Sequence, residues 1–165
     1  MRKHSGFTLI ELMVVVAIVS VIAVLTFTQV RFLDGALMRA EVDKLYGMCM
    51  YAQRCAMLTN KKQVIIVDKA AKSYTYNGRC ERLPDAIDFG FIAGVKGPPS
   101  DPRGDITSPI TFKDDQIIFK PNGIIQPGSI YLVDTQKKSM YGLSSSVAQV
   151  SFLRKYRYDK KWGLL

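Results

Sequence analysis

One carboxylate stands where an acid is costly. Glu11 sits at the lip of an uncharged apolar run, Leu12 to Val30, whose 19 residues are polar only at Ser20, Thr26, Thr28 and Gln29. A carboxylate at membrane depth costs roughly 2.5–3.5 kcal/mol on insertion scales and calls for a partner. No cation lies between Lys3 and Arg31. A cut after Gly6 would supply one: the new amine of Phe7 stands four residues from Glu11, one helical turn, the spacing at which helix side chains meet. That amine can come from the same chain or from a neighbour in an assembly.

The remaining chemistry-bearing residues are few. Cys49 and Cys55 are six apart, about 9 Å along one helix, which is beyond disulfide reach. A bridge, permitted outside the cytoplasm, would therefore use Cys80. No CxxC spacing occurs and the only histidine is His4, so no metal site and no cofactor are expected. Without a Gly-rich phosphate loop or a serine elbow, no enzyme is read. Asp114-Asp115 and Asp85/Asp88 read as solvated turn acids rather than catalytic or calcium-binding pairs. Near the C-terminus, Arg154, Lys155, Arg157, Lys160 and Lys161 interleave with Tyr156, Tyr158 and Trp162. Cations that meet phosphates beside rings that stack on bases suit single- or double-stranded DNA. The alternative is that the tyrosines finish a sheet and the lysines solvate its edge.

The elements that must carry these groups follow from pattern. The apolar run spans about 28 Å as a helix, close to bilayer thickness. Beyond Arg31, Val42, Leu45, Tyr46, Cys49, Ala52, Gln53 and Ala56 recur at three- and four-residue spacing, which predicts that the helix continues to about Asn60 with one apolar stripe. Gly35 and Gly47 are weak points, each costing ~1 kcal/mol relative to alanine. Short β-rich runs then alternate with turns: Gln63–Asp68, Ser73–Asn77, Leu83–Phe91, Ile110–Phe112, Gln116–Phe119, Ser129–Asp134, Ser139–Leu143 and Val147–Tyr158. Asn122-Gly123 and Pro127-Gly128 are turn dipeptides, and Gly94–Pro109, with four prolines and three glycines, is a loop. The hairpin of the first two strands brings Cys80 nearer to Cys55 than to Cys49, so Cys55–Cys80 is the pairing expected.

The expected fold class is α+β: a long N-terminal helix, transmembrane in its first half and amphipathic in its second, packed on a mostly antiparallel β-sandwich-like domain. Its parts are 1–6, a leader; 7–30, the apolar helix; 31–60, its amphipathic continuation; and 61–165, one soluble domain, too small for two. The formal charge is +9, and removing Arg2 and Lys3 leaves 21 basic against 14 acidic side chains. Such an excess favours anionic partners, DNA or lipid headgroups, without bearing on fold.

Met1-Arg-Lys-His-Ser-Gly6 followed by Phe7-Thr-Leu-Ile-Glu11 and the apolar run resembles the class III signal of type IV pilins and type II secretion pseudopilins. The resemblance implies that a prepilin peptidase cuts after Gly6 and methylates Phe7. It also implies that Glu11 serves assembly with other pilin or pseudopilin subunits. An ordinary secretory signal would have a shorter apolar core with a small-residue site after it, and an uncleaved anchor does not call for Glu11. The later part, with Ile117-Ile-Phe119-Lys-Pro-Asn-Gly123 and Gly128-Ser-Ile-Tyr-Leu132, resembles GspH/FimT-type minor pilins and pseudopilins, some of which take up DNA through the tail. Where many members carry Gly-Arg-x-Arg, this chain has Ser151-Phe-Leu-Arg-Lys-Tyr-Arg157 and lacks the glycine. The function implied is a processed filament subunit, crossing the inner membrane once with a cytoplasmic N-terminus and a periplasmic C-terminal domain. The alternatives are a DNA-binding minor pilin and a plain membrane-anchored periplasmic domain.

Overall fold

The computed structural model describes residues 8–97, 102–145 and 152–165, with residues 25–34 described by their backbone alone. The leader 1–6 and Phe7 lie outside the described residues, as does 146–151, the first part of the last expected strand. Helix α1 runs Leu9–Thr59. No proline interrupts it, and a Cβ at Gly35 or Gly47 would meet nothing within 4 Å. It stops at Asn60, whose φ of 51° is left-handed, while the Lys61 amide bonds back to Ala56 O at 3.2 Å. This is a common helix ending, and asparagine tolerates it.

The chain divides into two compact units, Met1–Ala36 and Leu37–Leu165. In the first, twelve large apolar side chains between Leu9 and Val24 are exposed by 48–77%. Among the described residues no helix is long and apolar enough to cross a membrane; the second part of the run read as membrane-spanning falls in the backbone-only segment.

In the second unit, α1 buries Met38, Val42, Leu45, Cys49, Ala52, Gln53 and Ala56, the stripe that the spacing predicts extended one turn backward. Arg39, Asp43, Lys44 and Arg54 stay exposed. Two antiparallel sheets complete the core. The first has β1 (Gln63–Asp68), β2 (Ser73–Tyr76), β3 (Arg79–Arg82) and β5 (Gln116–Phe119) in the order β3-β2-β1-β5. The second has β4 (Ile87–Phe89), β6 (Gly128–Asp134), β7 (Met140–Ser145), β8 (Leu153–Asp159) and β9 (Lys161–Leu164) in the order β4-β6-β7-β8-β9. One apolar cluster joins the helix stripe to Ile65, Tyr74, Ile117 and Phe119 of the first sheet and to Ile130, Leu132, Tyr141 and Leu143 of the second.

Several expectations change in detail. β3 and β9 fall outside the expected strands: both are edge strands, Arg79–Arg82 carries three charges in four residues, and the alternation in Lys161–Leu164 is only Trp162 and Leu164, too short to mark a strand. Leu83–Phe91 reduces to three residues of strand, and Ile110–Phe112 to a single bridge, Ile110 to Ile130. Asn122-Gly123 is a turn with Gly123 at φ 80°, but Gly128 opens β6 instead of turning. There a Cβ would stand 2.5 Å from the Phe112 ring, so close approach, not turn geometry, requires the glycine.

The Cys55–Cys80 bridge is corrected: all three thiols are free, with Cys49 buried, Cys55 half-buried and Cys80 exposed. Strand parity gives the reason. Cys80 is the register partner of Thr75, whereas the β2 side chains that join the core are Tyr74 and Tyr76, the neighbours of Thr75. Successive strand side chains point to opposite faces, so Cys80 looks away from the helix that carries Cys55.

Candidate assembly site and basic groove

At the start of the apolar helix, the Glu11 amide bonds to Thr8 Oγ1 and the Thr8 hydroxyl donates to Glu11 Oε2, both at 3.4 Å. Thr8 O accepts the Glu11 and Leu12 amides at 3.1 and 3.2 Å. Thr-x-x-Glu is the capping-box pattern, in which the residue at the helix start and the acid three positions on satisfy each other. Sequence reasoning singled out Glu11 and passed over Thr8, although the Thr8-Leu-Ile-Glu11 spacing was there to read. Glu11 thus has two roles to weigh, helix cap and charge partner. Gly6 and Phe7, which bear on the second, lie outside the described residues.

The basic tail divides by strand parity. Lys155 and Arg157 are register partners of Leu143 and Tyr141, on the core face of the second sheet. Lys155 reaches α1, with Nζ 2.5 Å from Asp43 Oδ1 and 4.9 Å from the Tyr46 ring centroid. It fastens β8 to the helix. Arg154, on the other parity, lies 4.8 Å over the Phe152 ring. Tyr156 is buried, and Tyr158 sits 5.3 Å from Trp162 in a cluster that includes Tyr131. The alternating series in sequence is therefore not one surface.

A smaller set does converge. Lys160, Lys161, Tyr158 and Trp162 line an open groove of about 530 Å³ together with Lys96, Gly97 and Pro102. The indole Nε1 donates to Lys96 O at 2.8 Å. This bond ties the β8–β9 hairpin to the segment after β4, which also bonds across the sheet through Gly90 N to Tyr131 O and Ile92 N to Met140 Sδ. In the sequence Lys96 belongs to a loop, and no signal there joins it to Trp162, 66 positions later.

Three of the other acids are held by cations. Asp115 lies 3.0 Å from Lys69, and Asp88 pairs with Lys72. Lys44, at 2.7 Å, and Arg79 hold the Glu81 carboxyl below its ordinary range. Among the described residues no group of three His, Cys, Asp or Glu could hold a metal. Burial pushes the Tyr74 hydroxyl up and Glu41 and Glu81 add to it; Tyr74 OH and Glu41 Oε2 are buried without a hydrogen-bond partner. Tyr76, whose hydroxyl donates to Gln63 Oε1 at 3.1 Å, is pushed up to about 12, mainly by burial. Burial raises the Cys49 thiol as well.

Compared with known families, residues 1–27 match the prokaryotic N-terminal methylation motif, the signature of type IV pilins and pseudopilins. No curated protein and no solved structure matches the chain. The match covers the N-terminal 27 of the chain's 165 residues.

Proposed function

We propose that this chain is a minor pilin or pseudopilin: it is cut after Gly6, methylated on Phe7, held once in the inner membrane and then drawn into a filament. The observation that carries the reading is the helix behind the motif, whose twelve large apolar side chains between Leu9 and Val24 are exposed. A helix of that kind belongs inside lipid or inside a bundle. At roughly 1 kcal/mol for each half-exposed side chain covered, its twelve large apolar groups are worth on the order of 10 kcal/mol to whatever encloses them. In that setting Glu11 pairs with the Phe7 amine of a neighbour and sets the axial register. The proposed division is leader 1–6, membrane and filament-core helix 7–30, amphipathic helix 31–60 and periplasmic domain 61–165. Mass spectrometry of the protein from its host tests this: methylated Phe7 as the first residue is expected. An intact Met1 would leave a plain membrane-anchored domain.

A second reading, DNA contact by a minor pilin, is favoured by the groove in which Lys160, Lys161 and Trp162 converge with Lys96. Arg154 and Arg157 lie outside its lining, and Lys155 is engaged by Asp43. A salt-titrated DNA shift assay on the purified chain decides it; no binding at low salt ends it.

A further inference from the structure

The groove between the β8–β9 hairpin and the segment after β4 has walls of a particular kind. Three lysines line it, one from the segment and two from the hairpin, and among the described residues its lining contains no carboxylate. None of the three forms an ion pair with a described residue, whereas Lys44, Lys69, Lys72 and Lys155 all do. Between the lysines stand two rings held at fixed angles. Trp162 is tied by its Nε1 to Lys96 O and packs edge-on against Tyr158. Its six-membered ring lies against Gly142, where a Cβ would come within 3.3 Å. The bond that fixes the indole thus also draws Lys96 to the groove holding Lys160 and Lys161. Like charges gathered in this way repel unless an anion sits among them.

We propose that this groove is a site for a single strand of nucleic acid, with phosphates meeting Lys96, Lys160 and Lys161 and a base laid against Tyr158 and Trp162. Ring stacking is the chemistry by which sequence-tolerant single-strand sites work. In a duplex the bases are already stacked and paired, so these rings would find no free face. The volume, about 530 Å³, falls in the roughly 300–1,000 Å³ range of sites for small ligands. The inference rests on the DNA reading above and deepens it by naming the form of nucleic acid and adding Lys96.

The test uses the full processed chain in detergent micelles, where Trp162 is the sole tryptophan and its emission reports on this groove alone. The probes are a short oligothymidylate, the same sequence as a duplex, and inorganic tripolyphosphate. The oligothymidylate is expected to quench Trp162 and to bind at least several-fold more tightly than the duplex. Its salt slope should be about −2, three phosphates at roughly −0.7 each for a single strand. Lys96→Gln keeps the backbone acceptor of Trp162, so the fold and the unliganded emission stay as they are. The variant should bind about fivefold more weakly with a slope shallower by about 0.7. Duplex binding as tight as single strand with Trp162 unquenched would overturn the site while leaving the DNA reading intact. Tripolyphosphate competing as well as the oligonucleotide would overturn it too, as adventitious anion binding. Failure of every nucleic acid to bind at low salt would remove both readings.

Discussion

Glu11 can be tested so that its two roles separate. Glu11→Gln keeps a side chain that serves in a capping box and removes only the charge. Thr8→Val keeps the charge and removes the cap. The cap contacts are long, 3.4 Å each, and exposed, so their loss should cost about 0.5–1 kcal/mol, the low end for such positions. A carboxylate paired with an amine inside a filament is a buried pair, and removing one member of such a pair costs roughly 3–5 kcal/mol. At about 1.4 kcal/mol per tenfold, that is roughly two to four powers of ten in the incorporation equilibrium, against a factor of about 2–5 for the cap. The assay expresses each variant in the host and verifies by mass spectrometry that the subunit begins at Phe7. It then compares subunit in sheared filaments with processed subunit left in the membrane. Glu11→Gln should be nearly absent from filaments and Thr8→Val only modestly reduced. The reverse pattern would refute the charge-pairing argument and leave Glu11 as a helix cap.

Thiol labelling of the native chain without reductant should modify Cys80 at once, Cys55 more slowly and Cys49 only on unfolding, with three thiols titrating in denaturant; a single titrating thiol would restore the bridge. Lys155→Met should lower the stability of the folded domain by about 1 kcal/mol in urea titration, since it loses a partly exposed ion pair and a cation–π contact together. In alkali the chain should lose stability as pH rises above about 10, the ordinary tyrosine value, and through about 12. The unfolded state ionises first, while buried Tyr74 and Tyr76 are held neutral. Tyr74→Phe should flatten that loss, measured as melting temperature against pH. Because the Tyr74 hydroxyl is unpartnered, the same variant should not be less stable at neutral pH.

Much of the fold was legible because its signals are local. The helix stripe from Val42 to Ala56 follows a 3.6-residue period, Val64 to Val67 is a β-rich run, and Tyr74 and Tyr76 alternate with a period of two. What stayed hidden depends on neighbours distant in sequence. β3 and β9 are strands because an edge accepted them: Arg79–Arg82 is mostly charged, and Lys161–Leu164 offers only Trp162 and Leu164 as an apolar pair. Pro127-Gly128 read as a turn because the Phe112 ring that requires the glycine is sixteen residues away. The tail read as one alternating platform because sequence does not reveal which parity faces the helix. In the structure Lys155 turns to Asp43 while Trp162 turns to Lys96, and the cation that completes the groove comes from a loop.

The placement of β1 has a consequence for the order of events during synthesis. It lies between β2, reached through a four-residue turn, and β5, whose Phe119 pairs with Gln63. The helix stripe and the first three strands can therefore come together early, but they leave one flank of β1 open until the 37 residues from Leu83 to Phe119 have emerged. Long-range pairings of this kind form late, and unpaired strand flanks attract other chains. A chain truncated before Gln116 should accordingly clump, whereas one ending beyond Phe119 has the first sheet closed and waits only for the second.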